Sequence, residues 1–145
     1  MSTQSTRISA YGLVTKDERI LLCRLSKIVA DAAGHWILPG GGLDWGEDPV
    51  DAVVREISEE TGLKVNYVGD LLDVDSRIIK FSGDRQVHSI RIVYQADVLN
   101  GELKVEKEGG STDACAWFTL EEANELPLVH LAKRGLELWK GAAKY

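Results

Sequence analysis

Between Asp48 and Gly62, Val50, Val53, Val54 and Ile57 recur at i, i+3, i+4 and i+7, the stripe of an amphipathic helix. Both ends of that helix are marked. Asp48 suits the N-cap, Pro49 the first helical position and Asp51 the first turn, and Gly62 tolerates a left-handed C-cap. Upstream the pattern is one of strands. Residues 7–14 carry β-branched and aromatic side chains, Lys16-Asp17-Glu18 reads as a turn, and residues 19–24 predict the returning strand. Residues 26–34 predict a loop, and residues 35–39 a short strand running into a loop at Gly40, Gly41 and Gly42. Downstream, residues 64–67 and 69–77 predict two strands about a turn at residues 66–70. Ser82-Gly83-Asp84 then joins residues 78–81 to residues 87–99 as a hairpin. Asn100-Gly101 is a further turn, residues 102–107 a strand or an extended loop, residues 108–113 an acidic loop and residues 114–118 a last strand. Thr119 to Glu122 has the form of a capping box opening a short helix that ends at Leu126-Pro127. Residues 129–143 predict the C-terminal helix, with Leu128, Leu131, Leu136 and Trp139 toward the core. Residues 1–6 are polar and expected to fray.

There is no internal repeat or linker, so residues 1–145 are expected to form one domain. Seventeen basic against 23 acidic residues give a formal net charge of −6, which argues against a general nucleic-acid binder or an acidic-membrane binder. A small nucleotide remains compatible, because metal ions neutralise phosphates. Cys23 and Cys115 are too few and too far apart in sequence for a disulfide framework or a zinc site. The first residues hold no hydrophobic signal region and no apolar run reaches membrane length, so the expected location is cytoplasmic, with no membrane partner.

The chemistry lies on and beside the capped helix. Glu56, Glu59 and Glu60 are related by i+3 and i+4 and are expected to cluster on a face other than the apolar stripe. Like charges so placed repel unless a cation sits among them, and hard carboxylate oxygens suit Mg²⁺ or Mn²⁺ better than zinc. The spacing is specific as a whole. Gly41, five residues, Glu47, seven residues, then Arg55-Glu56-Ile57-Ser58-Glu59-Glu60-Thr61-Gly62-Leu63 resembles the Nudix box at every defined position. The lead-in Leu38-Pro39-Gly40-Gly41 and the later Trp117-Phe118 followed by an acidic helix also resemble that family.

The resemblance implies an α/β fold, the Nudix α/β/α sandwich with a mixed sheet and the box as loop, helix and loop. It implies Mg²⁺-dependent (or Mn²⁺-dependent) hydrolysis of the pyrophosphate bond in a nucleoside diphosphate-linked substrate, by water attack at phosphorus. Glu59, Glu60, Glu56 and the Gly40 carbonyl are the implied metal ligands, and Glu56 is either a ligand or the general base. Arg55, Glu56 and Glu59 are the implied catalytic set, with Glu47 and Gly41 in support. Many relatives carry a late glutamate where this chain has Ala114, which leaves Asp113, Glu106 or Glu108 as substitutes. Arg24, Lys27, Arg77 and Arg91, with Arg85 and His88 in reserve, are candidates to meet substrate, and Trp45 either stacks on a ligand or covers the core. Residues 78–81 lack the proline and tyrosine markers of some ADP-ribose and dinucleoside polyphosphate enzymes. That absence favours a (d)NTP or related small nucleotide, with an ADP-ribose or nucleotide-sugar pyrophosphatase as the alternative. A ligand-sensing or scaffold domain is the non-enzymatic alternative, and a homodimer is left open.

Overall fold

The computed structural model describes residues 3–105 and 108–142. Strand β1 (Thr3–Leu13) is central to the first sheet. It pairs antiparallel with β5 (Gly40–Gly42) on one side and parallel with β7 (Arg85–Val98) on the other, and β6 (Val65–Lys80) completes the order β5-β1-β7-β6. Residues 3–6, expected to fray, instead pair with Arg85, Gln86, Val87 and His88, a contact no local pattern announces. In the second sheet β3 (Arg19–Leu25) is flanked by β2 (Thr15–Lys16) and β4 (Trp36–Ile37) on one edge and by β8 (Thr112–Phe118) on the other. Asp17 and Glu18 both take positive φ (51° and 61°) in the two-residue turn between β2 and β3, where the twist of the hairpin requires it.

Three other expectations are corrected. Residues 27–32 form a 3-10 turn inside the expected loop. Gly40–Gly42 is an edge strand rather than a loop. Residues 64–77 hold no turn: β6 is continuous, and bulges between Val65 and Asp73 absorb the turn-forming Asn66, Gly69 and Asp70. Of the two alternatives for residues 102–107, residues 102–105 take the loop, and Glu106 and Lys107 lie outside the described residues.

Helix α1 (Pro49–Thr61) starts and stops as its caps predict. Asp48 accepts a hydrogen bond from Val50 N, and Gly62 is left-handed at φ 73°. The buried face differs from the predicted stripe. Val53 and Ile57 are fully buried, but Val54 is exposed and Ala52, Glu60 and Thr61 take the remaining inward positions. Each fully buried Val or Ile side chain contributes about 1.5–3 kcal/mol. With Ala10, Leu21 and Ala96 these residues form the core between α1 and the sheets. On the opposite side α2 (Leu120–Asn124), opened by the Thr119–Glu122 capping box, and α3 (His130–Ala142) cover Tyr11, Leu22, Leu38 and Val93, with Leu131 and Leu136 buried beside them. Leu128 and Trp139 pack at the rim of that core. Helices thus lie on both sides of a mixed sheet and an antiparallel one, an α/β/α sandwich. Cys23 and Cys115, 92 residues apart in sequence, face each other across β3 and β8 as free thiols raised in pKa by burial and then by Glu60. No helix among the described residues is long and apolar enough to cross a membrane.

Candidate active site

Strand β5 is the seam of the site. Pro39 O and Leu43 N bond to β1, so by strand alternation Gly40 and Gly42 turn their amide groups outward from the free edge. Helix α1 receives them. Gly40 N donates to Glu60 Oε1 at 2.7 Å, and Gly42 O accepts from Arg55 Nη2 at 3.2 Å. Gly41 faces α1, where a Cβ would lie 2.9 Å from the Glu56 carboxyl carbon, so only glycine lets that carboxylate approach the strand.

All five N–H donors of the Arg55 guanidinium are engaged. Nε and Nη2 grip Glu47 bidentately, each at 2.9 Å; the second Nη2 hydrogen goes to Gly42 O; and Nη1 donates to Glu56 Oε1 at 2.9 Å and Glu59 Oε2 at 3.4 Å. The result splits two glutamates of one motif. Hydrogen bonds from Arg55, then from Asp44 N, draw the Glu47 carboxyl down to about 2. Glu60 is pushed up to about 8 by burial, with the Glu56 and Glu59 charges adding and the Gly40 N–H and Thr112 hydroxyl opposing. Glu60 is only 6% exposed, because it continues the Val53–Ile57 stripe one turn on rather than sharing an outer face with Glu59.

Glu56, Glu59 and Glu60, with Arg55, Asp44 and the 110–112 segment, line a polar cavity of about 320 Å³. Among the described residues no three His, Cys, Asp or Glu side chains converge into a closed metal cage. Arg55 Nη1 holds Glu56 and Glu59, and Gly40 N holds Glu60. The donor set nonetheless fits Mg²⁺ or Mn²⁺. It consists of hard oxygens, it gathers three glutamate carboxyls in one cavity with a single arginine, and Mg²⁺ is ordinarily held by one or two carboxylates together with water and substrate phosphates.

A second, larger cleft of about 570 Å³ meets this cavity at Glu60, Ser111 and Thr112. Arg77, Arg85 and Arg91 line it, together with Arg7 and Phe81, which the sequence did not single out. Arg91 is not free to meet substrate. It makes a bidentate pair with Asp75 (2.8 Å twice) and lies 3.3 Å from His130 Nδ1. Arg24 and Lys27 line neither space. Arg24 pairs with Asp113 at 2.8 Å and lies over Trp36, and Lys27 is exposed on the 3-10 turn. His88 points to the other face of the sheet, beside Gln4, Thr6 and Ile78. Trp45 is fully exposed and covers no core. Of the substitutes for the glutamate replaced at Ala114, Asp113 is occupied by Arg24, Glu108 lines neither space and Glu106 lies outside the described residues. Ala114 itself sits in β8 opposite Arg24. The added cavity carboxylate is Asp44, overlooked because a lone acid in a loop carries no periodicity.

The family model described as the NUDIX domain matches residues 5–139. An "ADP-ribose pyrophosphatase" of Methanocaldococcus jannaschii is 37% identical over 123 residues, covering 85% of this chain and 68% of that protein. The nucleoside triphosphatase NudI of Enterobacter sp. is 28% identical, over 80% of this chain and 84% of that protein. Among solved structures, a MutT NUDIX hydrolase from Burkholderia pseudomallei superposes with a TM-score of 0.77 at 34% identity, covering 92% of this chain and 97% of that one. Members of this family act on small nucleotide substrates and generally use a divalent metal. With the sandwich fold, the capped acidic helix and a family match across almost the whole sequence, the chain belongs to the Nudix hydrolases.

Proposed function

We propose that this chain, acting as one domain in the cytoplasm, is a Mg²⁺-dependent pyrophosphohydrolase of a small nucleotide, a (d)NTP or a close relative. The observation that carries the reading is the buried Glu60 carboxyl beside Glu56 and Glu59, in a cavity that opens directly into an arginine-lined cleft. Glu56, Glu59, Glu60 and the outward-facing Gly40 carbonyl would hold the cation. A bound divalent ion supplies neutralisation of the phosphate oxygens and a lowered pKa for the attacking water. The chain's own groups do the positioning. Arg55 fixes Glu56 and Glu59 in rotation and height, and Glu47 fixes Arg55. Glu56 serves as a ligand or as the base that takes the water's proton. The diphosphate lies at the junction of the two spaces, where Thr112 and Gly40 brace Glu60.

A second reading, hydrolysis of ADP-ribose, is favoured by the 37% identity to the archaeal ADP-ribose pyrophosphatase. The test is phosphate and nucleotide release with Mg²⁺ or Mn²⁺ from (d)NTPs, oxidised (d)NTPs, ADP-ribose, nucleotide sugars and dinucleoside polyphosphates. Turnover of one class, lost in Glu60→Gln, supports the proposal and identifies the substrate. Silence across the panel with ligands still bound rejects it in favour of a ligand-sensing domain.

A further inference from the structure

The registers of β1, β7 and β6 arrange the cleft face into rows of three side chains. Partnered residues across adjacent strands share a face, and every second residue along a strand returns to it. Nearest the carboxylates, after Tyr11 and Val93, comes the row Ser9, Arg91 and Asp75. Its charge is closed, because Asp75 neutralises Arg91. Next comes Arg7, Ser89 and Arg77. Beyond it Ser5, Val87 and Ile79 form a mainly apolar row, and Thr3 and Arg85 lead to Phe81, whose ring lies 4.4 Å from the Arg85 guanidinium carbon.

The Arg7–Ser89–Arg77 row differs from its neighbours. Among the described residues neither arginine has a hydrogen-bond or ion-pair partner, although both line the cleft. Ser89, on the middle strand, is 4% exposed and places a hydroxyl at the base of the row. The outer strands of such a triplet lie about 10 Å apart, a gap that two arginine side chains close around a phosphate-sized anion. Two like charges facing each other over a serine are unfavourable without an anion between them. The row is also tied to the acidic seam. Gly42, the partner of Ser9, shares the sheet face of Arg7, and a Cβ there would lie 3.1 Å from Arg7 Nη2, so the Arg7 guanidinium rests on β5 opposite the side that meets Glu56. Along β1 the row stands about 13 Å from Tyr11, the partner of Gly40.

We propose that Arg7, Ser89 and Arg77 form a specificity-determining subsite for a phosphate other than those of the scissile linkage. Substrates carrying such a phosphate are preferred over those ending in a neutral sugar. This rests on the cleft being the substrate end of the acidic site. A terminal phosphate of the polyphosphate chain and a phosphate on the nucleotide sugar offer the same chemistry, and the ligands below separate them.

Binding is measured calorimetrically in EDTA, where cleavage plays no part, for AMP, ADP, ATP and adenosine 2′,5′-bisphosphate. With the wild type, one added phosphate is expected to tighten binding ~10- to 100-fold, the strength of a bidentate charge-assisted contact. Gain from ADP to ATP assigns the terminal phosphate, since both phosphates of ADP belong to the scissile linkage; gain only from AMP to the bisphosphate assigns the sugar. Arg77→Gln and Arg7→Gln, both exposed positions, should erase that gain and leave AMP binding and the melting temperature unchanged. In turnover they should raise KM for the phosphate-bearing substrate several-fold more than KM for ADP-ribose, with no matching fall in kcat. The inference is overturned if added phosphates bring no gain in the wild type, or if the variants weaken every ligand equally. An inactive protein that keeps the phosphate preference rejects the hydrolase reading alone, and an active one indifferent to the added phosphate rejects this inference alone.

Discussion

The two sides of β5 carry opposite chemistry within one strand's thickness. On the α1 side, Gly41 admits Glu56, and Glu60 closes on Gly40 N. The negative charge there is concentrated, buried and held by a fully engaged arginine. On the other side Arg7 rests over Gly42, and its charge and that of Arg77 are exposed and without partners among the described residues. The difference separates two tasks. Groups that must keep one geometry through a reaction are braced by neighbours, whereas groups that select among ligands are left available to them. Arg55 and Arg77 show the contrast in a single residue type: one is a structural fork, the other an open cation.

Removing a braced group should cost most. Glu60→Gln or Glu59→Gln is expected to lower kcat/KM by ~10³-fold or more, read by steady-state turnover, since each removes a charge from the proposed cation site. Glu60→Gln keeps the acceptor for Gly40 N, so the folded protein should melt no lower than the wild type. Arg55→Lys should cost ~10²-fold in kcat with little change in KM, because an ammonium has three donors and cannot reproduce the planar grip on Glu47, Glu56 and Glu59. A loss confined to KM would move Arg55 into the ligand-selecting class and break the comparison. Gly41→Ala should cost ~10-fold in kcat by displacing the Glu56 carboxyl, checked against a melting temperature close to the wild type's.

The pH response gives the finest test. In the metal-free folded protein Glu60 keeps its proton up to about 8, whereas a carboxyl in the unfolded chain loses it near 4.3. The fold therefore binds the extra proton between those values, and its stability should fall as pH rises through that window and level off above it. Glu47 has the opposite sign. Its contribution is present above the ordinary carboxylate range and lost as pH falls toward about 2. Mn²⁺ binding at pH 7 should release close to one proton and at pH 9 almost none, measurable by calorimetry in buffers of different ionisation heat.

Much of this was legible in short-range chemistry. Asp48, Pro49 and Gly62 delimit α1, and Thr119 with Glu122 starts α2, because caps and turns depend on residues within one turn of chain. The nearness of Glu56 and Glu59 was legible in their i+3 spacing, whereas a role for Arg55 came only with the family resemblance. What was hidden depends on partners far along the chain. Thr3–Thr6 become strand only through the parallel pairing with β7. Asn66 to Asp70 stay in β6 because bulges accommodate them. Glu60 was grouped with Glu56 and Glu59 by its i+4 spacing from Glu56, yet its position three residues beyond Ile57 continues the buried stripe. Arg7 carried no motif at all. Only the register that sets it level with Ser89 and Arg77 gives it a place in the cleft.

The division of labour across β5 is tested most directly by one kinetic grid. Wild type, Glu60→Gln and Arg77→Gln are each assayed with Mg²⁺ on a nucleoside triphosphate and on ADP-ribose, with kcat and KM resolved separately. Glu60→Gln is expected to abolish kcat on whichever substrates the wild type turns over, and Arg77→Gln, where the subsite takes a terminal phosphate, to raise KM for the triphosphate more than for ADP-ribose. Metal-dependent turnover surviving in Glu60→Gln, or an equal loss of kcat on both substrates in Arg77→Gln, would contradict that division of labour.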